Sequence, residues 1–270
     1  MSVPIVEVVA GAATDPGLRR PINEDSHLAA SPLFLVADGM GGHQAGEVAS
    51  AAVIAEFSTL AGRGSLSMRE VRTALDTARR RVDELPEAAA GAGTTLTGVV
   101  IADVDGVGCW LTLNLGDSRT YLLSDGEFDQ ISVDHSVVQE LIDSGQLDAA
   151  TAAVDARRNV ITRAIGGGSS AEADYWVIPA QVGDRVLVCS DGLSGELSSE
   201  RIDTVLRAES DPQAAATRLV HEAMLQGGRD NITAIVVDAV AVHRGVAADD
   251  GDDDVDEDTR PRVGTGGGRR

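Results

Sequence analysis

Leu33-Phe34-Leu35-Val36-Ala37-Asp38-Gly39 and Arg185-Val186-Leu187-Val188-Cys189-Ser190-Asp191-Gly192 end in the same way. Each is an apolar run of strand length, rich in Val and Leu, that stops on Asp-Gly. Asp-Gly alone means a turn, and the chain holds two such turns for comparison. Asp105-Gly106 and Asp125-Gly126 each lie between two strand-like runs, as a tight hairpin demands. Asp38 and Asp191 do not fit that setting: a glycine-rich loop and a helix follow the first, and a loop over residues 193–197 follows the second. Their carboxylates stand at open strand ends, where sites are commonly built.

Around these two runs, further Val-, Leu- and Ile-rich segments at residues 3–10, 95–102, 108–115, 120–123 and 232–237 read as strands. Helices are signalled more sharply. Ser67 and Glu70 form a capping box, Leu66 can staple onto Val71, and Val71, Leu75, Ala78, Val82 and Leu85 recur on one face. A second helix starts at Asp211 with Pro212 in its first position and ends before Gly227. A third, rich in small residues, covers 45–60. Strands come in blocks between helices instead of alternating with them, which predicts an α+β layering of two packed sheets covered by helices.

Of 270 residues, 43 are acidic and 22 basic, a formal charge of −21. That balance excludes nucleic acid as the main partner, because phosphate backbones attract Lys and Arg. An acidic chain still binds phosphate where metal ions invert the local sign. Cys109 and Cys189 lie in apolar strand-like runs and read as small core hydrophobes rather than a disulfide framework, which suits a reducing compartment. No stretch reaches the roughly 18 apolar residues of a membrane span, and the N-terminus lacks a basic region followed by an apolar one. No membrane partner is therefore expected, and the protein is expected to be a cytoplasmic monomer. Residues 1–243 read as one folded domain. Residues 244–270 carry an Asp/Glu run at 249–258 and then a Gly- and Arg-containing end, with too little apolar surface to offset ordering entropy. They are expected to form a disordered acidic tail.

Two more carboxylates sit at strand ends. Asp117, in Gly116-Asp117-Ser118-Arg119, follows the strand ending at Leu115, and Asp230, in Gly228-Arg229-Asp230-Asn231, precedes the last strand. Singly, each reads more readily as a turn or cap than as a ligand; four in one acidic chain shift the balance. Convergence would repel severely unless cations were present. Oxygen-only donors favour hard cations such as Mg2+ or Mn2+, and no Cys/His set for structural zinc is offered. Two such ions about 3.5–4 Å apart suit phosphate-ester hydrolysis. Arg20-Pro21-Ile22-Asn23-Glu24-Asp25 adds a guanidinium able to hold phosphate through two parallel hydrogen bonds; the competing reading is a surface arginine beside a proline turn. The glycine-rich residues 39–46 lack both Gly-x-Gly-x-x-Gly spacing and a Gly-Lys-Ser/Thr ending, so no nucleotide cofactor is expected. Those glycines are expected to let backbone approach a metal closely.

Taken in order, these segments resemble the PPM family, the metal-dependent protein phosphatases of type 2C, in its bacterial form. The resemblance covers residues 20–237. It is carried by Arg20-x-x-Asn23-Glu24-Asp25, Val36-Ala37-Asp38-Gly39-Met40-Gly41-Gly42-His43, Gly93-Thr94-Thr95, Gly116-Asp117-Ser118-Arg119, Asp134-His135-Ser136, Ser190-Asp191-Gly192 and Gly228-Arg229-Asp230-Asn231-Ile232-Thr233. It implies a four-layer α-β-β-α sandwich, two central antiparallel sheets flanked by helices. It also implies a protein serine/threonine phosphatase that hydrolyses phosphoserine and phosphothreonine by metal-activated water at a multi-metal centre. The cofactors would be Mn2+ or Mg2+, two tightly bound and a third weaker. The partners would be phosphorylated proteins, either substrates of serine/threonine kinases or such kinases themselves.

By the same resemblance, Asp38 bridges two metals, Gly39 contributes its carbonyl, and Asp191 and Asp230 complete the pair of sites. Asp117 holds the third metal, Glu24 and Asp25 orient metal-bound water, and Arg20 binds the substrate phosphate. Residues 136–159 correspond to the family's variable flap. Two departures stand out: Pro21 follows the phosphate arginine, and Met40 occupies the place where animal members have a histidine. His43 is then the nearest candidate to protonate the leaving alkoxide, against the alternative that it caps or packs at the helix start near Ala45. A phosphohydrolase of small esters and a catalytically silent phosphoprotein-binding module are the competing functions. The intact carboxylate set counts against silence.

Overall fold

A computed structural model describes residues 4–41, 45–86, 91–152, 155–157, 160–169 and 171–243. Along the chain run β1 (Val6–Asp15), β2 (Asp25–Ala30), β3 (Leu33–Met40), α1 (Ala45–Ser58), α2 (Met68–Asp83), β4 (Gly93–Thr94), β5 (Leu96–Val104) and β6 (Val107–Leu115). Then follow β7 (Arg119–Ser124), β8 (Glu127–Gln130), α3 (Val137–Asp143), α4 (Ala149–Ala152), β9 (Ile165–Gly166) and β10 (Asp174–Pro179). The chain closes with β11 (Arg185–Cys189), α5 (Asp191–Ser194), α6 (Ser199–Ala208), α7 (Pro212–Gln226) and β12 (Ile232–Val242).

One sheet has the order β1-β12-β11-β7-β8, the other β10-β6-β5-β3-β4-β9 with β2 added against β3. The strand pairings are antiparallel. Burial explains the layering. On β3, Leu33, Leu35 and Ala37 join the residues of α1 and α2, whereas Phe34 and Val36 face the other sheet. On β11, Leu187 and Cys189 lie under α6 and α7, whereas Val186 and Val188 face inward. β12 divides likewise, with Ala234 and Val236 on the helix side and Ile235 and Val237 between the sheets. A strand wet on one face alternates apolar and polar residues; these run apolar throughout because both faces are covered. The α+β layering expected from the sequence is therefore the observed one, helices outside and two sheets within.

Local signals are met where side chains enforce them. Asp105 and Gly106, like Asp125 and Gly126, have φ between 51 and 83°, the paired positive values of hairpin turns. The Ser67/Glu70 capping box is closed in both directions, and Leu66 and Val71 share one buried cluster. The Asp211 carboxylate accepts from Ala214 N–H at 2.8 Å, with Pro212 opening α7. Cys109 and Cys189 are buried free thiols. β1 lies further along the chain than expected, at Val6–Asp15, because its second half pairs with β12 through the weakly apolar Gly11-Ala12-Ala13-Thr14. Strands β2, β4, β8, β9 and β10 and helices α3, α4, α5 and α6 are additions to the expected elements, α5 beginning at Asp191 where a loop was expected to follow. Among the described residues no helix is long and apolar enough to cross a membrane. His43 and the acidic segment 244–270 lie outside the described residues.

Candidate metal centre

The ends of β2, β3, β11 and β12 meet at one edge of the sandwich. β2 and β3 pair with Asp25 directly opposite Asp38. Like charges in a cross-strand pair repel, so these two carboxylates need a proton or a cation between them. Asp25 Oδ2 accepts from Ser190 Oγ at 2.8 Å and from Thr233 Oγ1 at 2.6 Å, which ties β2 to the ends of β11 and β12. Asp25 Oδ1 is buried and has no hydrogen-bond partner. Asp191 opens α5 one residue after β11, and its carboxyl lies beside that of Asp38. Asp230 Oδ2 accepts from the half-exposed Arg20 at 2.7 Å.

Neighbours fix the backbone of this edge. Asp38 N–H donates to Thr95 Oγ1 at 3.0 Å, and the Asp38 carbonyl accepts from Thr95 N–H at 2.9 Å and from Thr94 Oγ1 at 2.8 Å. Asn231, 4% exposed, accepts from Glu24 N–H through Oδ1 at 2.8 Å and donates to the carbonyls of Pro16 and Ile22, each at 2.9 Å. One amide thus pins the Arg20–Glu24 segment beside Asp230. Gly39 N–H donates to the Glu24 carbonyl at 3.1 Å. A Cβ on Gly39 would lie 2.3 Å from the Gly46 carbonyl oxygen, so the glycines here let α1 pack backbone-to-backbone on β3. The sequence predicts an approach of backbone to metal; the close approach these glycines make in the fold is of backbone to backbone.

Crowding sets the protonation of the cluster. Burial, with the charges of Asp25, Asp191, Asp117 and Asp230, holds the Asp38 carboxyl well above the usual carboxylate range. Burial also lifts Asp25 to about 7 despite its two hydroxyl donors. Asp117, 7% exposed, is pushed up to about 8 by burial and by Asp191. Asp191 is raised by burial and Asp230, and Glu24 by burial and Asp230. A cleft of about 420 Å³ lies beside the cluster, with Asp117, Asp191 and Asp230 on one wall and Ser136, Val138 and Ile142 of the segment around α3 on another.

The structure therefore brings Arg20, Glu24, Asp25, Asp38, Gly39, Asp117, Asp191 and Asp230 to one edge. Among the described residues no three carboxylate, imidazole or thiolate groups are arranged as a finished metal cage: Asp230 turns to Arg20 and Asp191 to Asp38. The chemistry of the donors nevertheless fits hard divalent cations. It is an all-oxygen set, one buried carboxylate oxygen has no partner, and several carboxyls are too crowded to ionise together. Sequence reasoning gave no role to Ser190, Thr233, Asn231 or Thr95. Hydroxyl and amide side chains at the ends of otherwise apolar buried strands were the available signal.

The profile of one family, protein phosphatase 2C, matches residues 22–226. The chain belongs to the protein phosphatase 2C family. Serine/threonine protein phosphatase PstP of Mycobacterium tuberculosis is 41% identical over 258 residues, 90% of this chain. This chain spans about half of that relative, 48% of its length. Serine/threonine phosphatase stp of Listeria welshimeri is 32% identical over 86% of this chain and 96% of its own. The crystal structure of Mycobacterium tuberculosis PstP superposes with a TM-score of 0.80 at 38% identity, covering 87% of this chain and 99% of that one. The catalytic domain of PstP, crystallised with two manganese ions, gives a TM-score of 0.74 at 38% identity over 87% of this chain and 99% of that one. The two antiparallel sheets flanked by helices are thus the phosphatase 2C architecture.

Proposed function

We propose that this chain is a metal-dependent protein serine/threonine phosphatase. In this reading Asp38, Asp191 and Asp230, with the Gly39 carbonyl, hold two Mn2+ or Mg2+ ions, and Asp117 holds a third, weaker one. The observation that carries the proposal is the Asp25–Asp38 cross-strand pair with Asp191 and Asp230 beside it. Such a set is tenable only when protons or cations offset it. The two manganese ions of the related PstP catalytic domain support the choice of cation.

Bound divalent ions would activate water and neutralise the phosphoryl oxygens. The remaining work falls to the chain's own groups. Glu24 and Asp25 accept hydrogen bonds from the attacking water and so orient it. Arg20, half-exposed beside Asp230, presents a guanidinium to the substrate phosphate. His43 gives a proton to the leaving serine or threonine oxygen. The cleft of about 420 Å³ beside Asp117 and Asp191 is where the phosphorylated segment of a protein substrate would lie. The substrates are phosphorylated proteins, as the names of the relatives support, and include kinase substrates or kinases. We read the protein as a cytoplasmic monomer with a catalytic domain at 1–243.

The test compares a phosphothreonine peptide with nitrophenyl phosphate, each with Mn2+ and with chelator. Mn2+-dependent hydrolysis of the peptide, abolished by chelator, is the expected result. Turnover of the small ester with none of any phosphopeptide would make the protein a small-ester phosphohydrolase. No metal-dependent turnover of either would leave the binding-module reading.

A further inference from the structure

Asp117 comes from the β6–β7 loop, between Leu115 and Arg119, and not from β2 or β3. Its loop is held instead by the Asp134-His135-Ser136 stretch. Gly116 has φ 117°, and a Cβ there would sit 2.5 Å from Thr95 Cγ2, so the loop has one tightly packed course. Gly116 N–H donates to His135 Nδ1 at 3.2 Å, and the Gly116 carbonyl accepts from His135 N–H at 2.9 Å. Asn114 Nδ2 donates to the same carbonyl at 3.0 Å. On the other side of Asp117, Arg119 binds Asp134 through Nε and Nη2 at 2.7 to 3.0 Å. Asp117 is thus bracketed at both ends by consecutive residues of one segment.

His135 is 5% exposed. With Nδ1 accepting from Gly116, the ring proton sits on Nε2, which faces Asp174 Oδ2 at 3.1 Å. The second oxygen of Asp174 accepts from Arg163 at 3.2 Å, and the His135 carbonyl accepts from Thr162 N–H at 2.8 Å. One imidazole therefore joins the Asp117 loop, the first residue of β10 and the 160–163 segment. Hydrogen-bonded groups behind a metal ligand commonly fix its placement.

We propose that His135 is a positioning residue for Asp117: through Nδ1 it fixes Gly116, and Asp174 holds its tautomer and orientation. The inference rests on the reading above that Asp117 holds the weaker cation. Its effect is on the placement of a ligand, so it shows in metal binding and in local amide exchange, not only in turnover.

Four full-length variants test it. His135→Asn keeps an acceptor where Nδ1 lies, His135→Gln keeps a donor where Nε2 lies, His135→Phe keeps volume alone, and Asp117→Asn removes the ligand. Mn2+ titration of chelator-stripped protein and hydrogen exchange at Gly116 and Asp117 are the readouts. His135→Gln and His135→Phe should weaken the low-affinity Mn2+ step by about tenfold or more, leave the tight steps unchanged, and speed exchange at Gly116. His135→Asn should stay near wild type in both. If Gln behaves as wild type and Asn does not, or if all steps weaken together, His135 acts elsewhere and the inference falls. If His135→Phe does not fold, the Asn/Gln contrast still decides. If Asp117→Asn leaves the titration unchanged, the weak-site reading fails and takes the metal half of the inference with it. Unaltered exchange at Gly116 in the Gln variant overturns the positional half on its own.

Discussion

At the scale of single residues, the centre is a set of carboxyls that cannot all be charged together. Asp25 and Asp117 hold their protons up to about 7 and about 8, against an ordinary value of 3.8. Between about pH 4 and pH 8 the folded chain thus keeps protons that the unfolded chain has released, and its stability falls as pH rises. Carboxylates held below the usual range by arginines, such as Glu196 and Glu222, act in the opposite sense, but only around and below the ordinary carboxylate range. Divalent cations compete with the same protons, so their stabilising effect grows with pH. In chelator the melting temperature should be higher at pH 5 than at pH 8, and Mn2+ should raise it more at pH 8. The opposite order in calorimetry would contradict the protonation described for the cluster. His43 has a separate test. A general acid matters most for a basic leaving group. His43→Ala should therefore slow phosphopeptide hydrolysis about 10²-fold more than nitrophenyl phosphate hydrolysis. Equal slowing of both would assign His43 to structure.

At the scale of elements, capping and turn chemistry act independently of the site. Ser67→Ala opens both halves of the capping box on α2 and should cost about 1 kcal/mol in a denaturant titration with turnover unchanged. A loss of activity without loss of stability would tie α2 to the centre in a way the fold does not explain. The strands legible in the sequence, such as β3, β5, β6, β11 and β12, are those buried on both faces, whose continuous Val and Leu runs have no other use. Of those that escaped notice, β2, β8 and β10 lie at sheet edges, whereas β4 and β9 are only two residues long. β2 is half-buried and β8 mostly exposed, so no apolar pattern marks them, whereas the half-buried β10 carries a short apolar run, Tyr175-Trp176-Val177-Ile178, between Asp174 and Pro179. α3 buries no residue, and α6 buries only Ile202, Val205 and Leu206. The same rule governs the site. Asp38 and Asp191 were visible because each closes an unmistakable apolar run, although β3 itself runs on to Met40. The roles of Ser190, Thr233 and Asn231 were not, because they hold Asp25 and the Glu24 segment across 165 to 208 residues of sequence.

At the scale of the whole molecule, two sheets from distant parts of the chain each end in acidic residues at the same edge, and the helices outside bury the remaining faces. We propose that the domain is complete by His243. Residues 244–270 add mainly acidic and glycine residues, with little to bury. Deleting 247–270 should leave the melting temperature and nitrophenyl phosphate turnover nearly unchanged, and a large drop in melting temperature would mean that the segment packs on the domain. If this edge holds catalytic divalent cations, as proposed, Asp38 is the residue their binding depends on most. The most direct measurement is Mn2+ binding to chelator-stripped wild-type and Asp38→Asn chains, with phosphopeptide hydrolysis followed on the same samples. The wild type should bind Mn2+ tightly and recover turnover in step with occupancy. Asp38→Asn should lose the tight binding and fall to the rate seen in chelator. An Asp38→Asn chain that hydrolyses phosphopeptide at the wild-type rate, with or without bound Mn2+, would contradict the account.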